Sequence, residues 1–250
     1  MRLRAECDMT VEAPEPCAAI AMLRPRSGDA QWLISERYRF DPPVRPTEFV
    51  DVYGNLCQRF VAPQGTLRIR FDAVVETDDQ IAVDPEADIV PVNELPVDTL
   101  QYLLQSRYCP SDKTLQRAQD VVAGHATGYA QVEAIRAWIH DNIAYRYGVS
   151  DATTDALDTL AAGAGVCRDF LHVGITMCRN LGIPARMVVG YLHKLDPMDL
   201  HAWFEAYIGG RIVVAYGRDA ADVAIISNDG VLQTASMSVS VVRETQTTQL

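Results

Sequence analysis

Gly163-Ala164-Gly165-Val166-Cys167-Arg168-Asp169-Phe170 is the stretch on which the fold of this chain turns. Two glycines within three residues stop any helix before them, because glycine enters the left-handed conformation at no steric cost. Beyond Val166 the apolar residues Phe170, Met177, Cys178 and Leu181 can share one face of a helix predicted over 166–181, which Gly182-Ile183-Pro184 ends. Cys167 therefore opens a helix. The first N–H groups of a helix have no intrahelical partner and the dipole favours negative charge there, so a thiolate at this position is stabilised and reactive. The same N–H groups can hold a developing oxyanion. The plainer alternative for Cys167 is a small buried helix residue.

Downstream, residues 185–191 form an apolar strand, followed by a polar loop through Asp199. Residues 201–208 and 211–215 read as strands paired around Gly209-Gly210, and 231–242 alternates Val with small polar residues as a last strand. His201 opens the strand His201-Ala202-Trp203-Phe204-Glu205-Ala206-Tyr207. An imidazole fixed beside the cysteine helix can take the thiol proton, so His201 is the candidate base; a strand-end histidine without a partner is the alternative. The other histidines fit less well. His140 has charged helix neighbours, His125 lies in a Gly-rich turn, His193 ends a strand, and His172 is more than one turn beyond Cys167.

Upstream, helices are predicted over 97–108, over 111–123 with Ser111 or Asp112 as cap, over 131–143 and over 154–162. In the third, Val132, Ile135, Trp138, Ile139 and Ile143 recur at helical spacing. No helical periodicity precedes residue 95. Strands are predicted over 18–23, 31–40, 55–60 and 67–76, where Leu67-Arg68-Ile69-Arg70-Phe71 alternates apolar and charged residues, and Tyr53-Gly54-Asn55 reads as a turn. The acidic stretch with Pro85, Pro91 and Pro96 separates the two patterns. The fold class expected is α+β: an N-terminal β-sandwich over 1–85, a linker over 86–96 and a helix-bearing catalytic domain over 97–250.

The composition is that of a soluble globular protein, 48% hydrophobic and 22% charged. The net charge of -11 argues against nucleic acid and anionic membranes as partners, since both call for clustered Lys and Arg. The opening Met1-Arg2-Leu3-Arg4 has no apolar core after it and is not read as a secretory signal, and no apolar run is long enough to span a membrane. Cys7, Cys17, Cys57, Cys109, Cys167 and Cys178 fit neither a disulfide framework nor a zinc site, so thiols in a reducing cytoplasm are expected. No phosphate loop, metal triad or calcium loop is visible, and no cofactor is expected.

Taken together, Gly165-Val166-Cys167-Arg168-Asp169-Phe170, Leu181-Gly182-Ile183-Pro184-Ala185-Arg186, Gly190-Tyr191 and His201-Ala202-Trp203-Phe204-Glu205 resemble the transglutaminase-like, papain-fold superfamily. More narrowly, they resemble the bacterial transglutaminase-like candidate cysteine proteases with an N-terminal β domain. Asp51-Val52-Tyr53-Gly54-Asn55 is similar to a turn in that domain, and Gly217-Arg218-Asp219-Ala220-Ala221-Asp222-Val223-Ala224 to a segment after the active site. The resemblance implies thiol acyl chemistry on amide or peptide bonds of a protein or peptide substrate: attack by Cys167, a thioester intermediate, then transfer to water or an amine, with His201 as base.

One departure stands out. The family pattern places an Asp on the strand after the His strand, and Tyr216 occupies that position here. Asp219 belongs to the downstream motif, which arrives early, so a loop is expected to be skipped between about Ile208 and Val214. The competing expectation is a scaffold or binding module that keeps the fold and has lost turnover. Arg168 with Asp169, Trp203, and Glu205 with Arg186 have structural alternatives as local charge pairs or core aromatics.

Overall fold

The computed structural model describes residues 1–27, 31–78, 84–194, 200–215, 226–227 and 233–243. The chain divides into two compact units: Met1–Ile81 with Gly190–Leu200 and Asp222–Leu250, and Ala82–Val189 with His201–Ala221.

The first unit holds strands β1 (Arg2–Ala13), β2 (Cys17–Ala21), β3 (Gln31–Asp41), β4 (Thr47–Val50), β5 (Leu56–Ala62) and β6 (Gly65–Thr77). Two later strands, β12 (Ile226–Ser227) and β13 (Gln233–Arg243), join them. One sheet runs β13-β1-β6-β3 and the other β12-β2-β5-β4. Alternation fixes which side is dry. Ala5, Cys7, Met9 and Val11 of β1 are buried and lie opposite buried Ala73, Phe71, Ile69 and Leu67 of β6. The intervening Asp8, Arg68 and Arg70 pair on the wet face. Phe40 of β3 meets Phe60 of β5 edge-on at 5.1 Å, joining the inner faces of the two sheets. Asp51 closes the turn before β5 by accepting from the Tyr53 and Asn55 N–H groups, with Gly54 at φ +82°.

Two findings here differ from the sequence expectation. β1, absent from the predicted strands, lies between β13 and β6. The C-terminal strand, predicted in kind and nearly in place, pairs antiparallel with β1 from Leu3↔Arg243 to Glu12↔Gln233. Period-two alternation shows that a strand exists, not which sheet receives it.

The second unit contains α1 (Leu115–Val121), α2 (Tyr129–Asn142), α3 (Ala156–Ala162) and α4 (Cys167–Asn180). Its strands are β7 (Ala144–Tyr145) parallel to β8 (Ala164–Gly165), and the sheet β11-β10-β9 made by Arg211–Ala215, Leu200–Ile208 and Ala185–Tyr191. Among the described residues no α-helix precedes Leu115. The predicted helix over 97–108 is a 3-10 helix, Val97–Leu103, with no buried residue. None of its apolar side chains is buried, and short helices rely on packing for their stability. The helix over 111–123 divides at Thr114 into a 3-10 turn, Ser111–Lys113, and α1. Within the stretch read as a linker, the Ala87 carbonyl accepts from Tyr129 N–H and the Asp88 carbonyl from Gly209 N–H, both partners lying in this unit.

Candidate active site

The local sequence sets the start of α4. Asp155 caps α3, accepting from Leu157 and Asp158 N–H groups at 2.8 and 3.0 Å, and Gly163 ends it in the left-handed conformation. Ala164 and Gly165 then pair with β7, and Val166, extended, leads into the helix whose first residue is Cys167. The Asp169 carboxylate reaches back to Val166 N–H at 2.8 Å and is fully buried. Gly165 leaves it room: a Cβ there would stand 2.7 Å from Asp169 Cβ. Cys167 is 2% exposed.

His201, 1% exposed, is the second residue of β10. The chain path fixes where it lies relative to Cys167. Tyr207 N–H donates to the Pro184 carbonyl at 2.9 Å, and Arg186 pairs with Glu205 at 2.8 Å. Both contacts follow one antiparallel register, so the end of β10 lies beside the start of β9, which follows the end of α4 within a few residues. Helix α4 and strand β10 therefore run in the same direction. Gly174 marks their crossing, where an added Cβ would meet the Phe204 ring at 2.4 Å. Counting back, Cys167 is two helical turns (about 10 Å) before Gly174, and His201 is three strand residues (about 10 Å) before Phe204. Alternation puts Ala202, Phe204, Ala206 and Ile208 on the face of β10 toward α4. His201 shares the other face with Trp203, at 6.4 Å between ring centroids, and with Glu205.

Arg168 points from the start of α4 to the preceding loop. Its guanidinium donates to the Asp151 carbonyl at 2.9 Å and the Ser150 hydroxyl at 3.3 Å, and lies 3.3 Å from Asp169 Oδ1. Ser150 and Asp151 escaped the sequence reading, because nothing local links them to a residue so far along the chain.

His172 is stacked on Tyr108 at 5.2 Å with its Nδ1 buried and unpartnered. Burial, then the positive charge of Arg168, pushes its pKa down to about 4 from the ordinary 6.5. The unfolded chain therefore takes up the proton first as pH falls, so this stabilisation is complete above 6.5 and is lost as pH drops toward 4. His172→Phe keeps a ring on Tyr108 and removes the titration. We expect urea midpoints of this variant to fall less between pH 6.5 and 4 than those of wild type; parallel curves refute the assignment.

The six cysteines are free and buried. Burial raises the thiols of Cys57, Cys109 and Cys178, the last to about 12. His140 pairs with Asp141 on the surface and His125 is exposed. Among the described residues, no cluster of His, Cys, Asp and Glu could hold a metal ion and no helix is long and apolar enough to cross a membrane.

The expected extra loop after Ile208 is corrected. Ile208 pairs with Arg211 across Gly209 and Gly210, at φ +57° and +77°. Two positive-φ residues are what a two-residue hairpin requires, so the chain runs directly from β10 into β11. Tyr216, Asp219 and the motif over 217–224 lie outside the described residues.

Comparison with known proteins agrees with this architecture. Residues 115–217 match the transglutaminase-like superfamily, and residues 15–77 match the bacterial transglutaminase-like N-terminal region. An uncharacterised protein of Mycobacterium leprae is 30% identical over 235 residues, which cover 82% of this chain and 83% of that protein. An uncharacterised protein of Mycobacterium tuberculosis is 26% identical over 245 residues, covering 80% and 77%. The crystal structure of a candidate cysteine protease from Cytophaga hutchinsonii superposes with a TM-score of 0.85 at 33% identity, covering 97% of this chain and 90% of that one.

Proposed function

The chain belongs to the transglutaminase-like superfamily, with the bacterial transglutaminase-like N-terminal region ahead of the core, and from that membership we propose that it is a thiol hydrolase or acyl transferase acting on amide or peptide bonds. Cys167 attacks the carbonyl while His201 takes the thiol proton, the start of α4 holds the oxyanion, His201 returns the proton to the amine that departs as the C–N bond breaks, and the thioester passes its acyl group to water or another amine. What supports this is that Cys167 opens a buried helix which meets, at Gly174 and Phe204, the strand that His201 opens. The substrate is a protein or peptide, as is fitting for a relative of a candidate cysteine protease. The six free thiols fit a reducing compartment such as the cytoplasm.

A second reading, a binding or scaffold module without turnover, draws on the sequence of β11, since Arg211–Ala215 contains no acid to orient an imidazole. Iodoacetamide labelling of the native protein at neutral pH, read by peptide mass spectrometry, separates the two. The enzyme reading expects Cys167 to react at least tenfold faster than the other five thiols and His201→Ala to slow it. Labelling of Cys167 no faster than the rest leaves the scaffold.

A further inference from the structure

A carboxylate is an awkward neighbour for a thiolate. Asp169 is fully buried two residues after Cys167 in the same first helical turn, and Gly165 lets its carboxylate tuck beneath the chain entering that helix. One buried negative charge outweighs the roughly half charge that a helix dipole places at its N-terminus. Left alone, Asp169 would turn the start of α4 repulsive toward an anionic sulfur.

We infer that Arg168 is a positioning residue for the nucleophile: its guanidinium cancels the Asp169 charge, so that the helix start stays attractive to the Cys167 sulfur. This rests on Cys167 being the nucleophile. The geometry favours such a role over a surface ion pair. The Arg168 side chain is 26% exposed, and its Nε and Nη2 lie 3.4 and 3.3 Å from Asp169 Oδ1. Its other partners are neutral oxygens, the Ser150 hydroxyl and the Asp151 carbonyl. Its charge is therefore not committed to a second carboxylate. The Asp151 carboxylate is engaged by Thr153 and Thr154 instead. Among the described residues, other titratable or charged groups near this end include His172 on α4, held neutral, Asp155 at the start of α3, Tyr145 against Phe170, and Arg146, whose backbone N–H donates to the Gly165 carbonyl.

The test is the pH dependence of Cys167 alkylation by iodoacetamide, followed by mass spectrometry in the whole protein. Arg168→Gln is expected to raise the midpoint of the rate profile by about one pH unit. Arg168→Lys restores most of it. Asp169→Asn, whose side-chain oxygen can still accept from Val166 N–H, lowers the midpoint below wild type. Adding Asp169→Asn to Arg168→Gln brings the midpoint back toward wild type. A purely structural role predicts the opposite for that pair, because losing both partners loosens the helix start further. Should Arg168→Gln fail to fold, Asp169→Asn alone carries the test. Overlapping profiles, or no recovery in the double variant, overturn the role of Arg168 while Cys167 remains reactive. A wild-type Cys167 no more reactive than the other thiols removes the nucleophile assignment and the inference with it.

Discussion

Cys167→Ala is expected to lower acyl transfer from peptide substrates by about ten-thousandfold or more while leaving the fold intact. The reason for so large an effect is that the sulfur is the atom that forms the bond. Without it no thioester exists, and the remaining rate comes only from binding and from whatever the helix start does to polarise a carbonyl. Alanine fills nearly the same volume at this buried position, so the thermal midpoint should move little. Cys167→Ser is expected to be almost as inactive, because a hydroxyl does not ionise at neutral pH as a thiol can. Release of free amines from a peptide mixture reports hydrolysis, and hydroxamate formation with added hydroxylamine reports transfer. Equal activity in wild type and Cys167→Ala would place the chemistry elsewhere in the molecule.

Gly174→Ala should reverse the sign usually seen in helices. In an open helix interior the change stabilises by about 1 kcal/mol, since alanine gives up less backbone freedom on folding. Here the new Cβ would lie 2.4, 2.8 and 2.9 Å from Cε1, Cδ1 and Cζ of Phe204, a ring that is 2% exposed and has no room to swing away. Overpacking of this kind costs about 1–3 kcal/mol and has to overcome the propensity gain. The expected net destabilisation is about 1 kcal/mol, or roughly 2–4 °C in Tm for a chain of this size. The cost has a functional side. Pushing α4 off β10 moves the element bearing Cys167 relative to the one bearing His201, so alkylation at Cys167 should slow as well. Phe204→Leu removes the offending ring atoms and should recover part of the loss in the double variant. An unchanged or raised Tm for Gly174→Ala would show that helix and strand do not meet at this glycine.

Much of the candidate site is visible in the chain because its determinants are local. Asp155, Gly163 and Gly165 bracket a helix break within a dozen residues, and Cys167 follows directly. Gly209-Gly210 likewise announces a two-residue hairpin, and the Arg186–Glu205 pair was foreseen from strand alternation. β1 was legible too, since Ala5, Cys7, Met9, Val11 and Ala13 alternate with polar residues. The 3-10 character of Val97–Leu103 could not be read this way. Val97, Leu100 and Leu104 suggest an apolar helix face, but all three are exposed, and propensity yields when burial is missing.

The sequence by itself determined the elements and the chemistry of their ends: a cysteine at a helix start, a histidine at a strand start, and a change from period two to helical period between the halves. These depend on neighbours within one or two turns. Only the tertiary structure decided that α4 meets β10 at Gly174 and Phe204, that β13 returns to pair with β1, and that Arg168 is held by Ser150 and Asp151. Each joins residues far apart in the chain. Such contacts are selected by shape and burial across the whole core, such as the absence of a side chain at Gly174 beneath Phe204, and no local pattern encodes which distant partner fills the space.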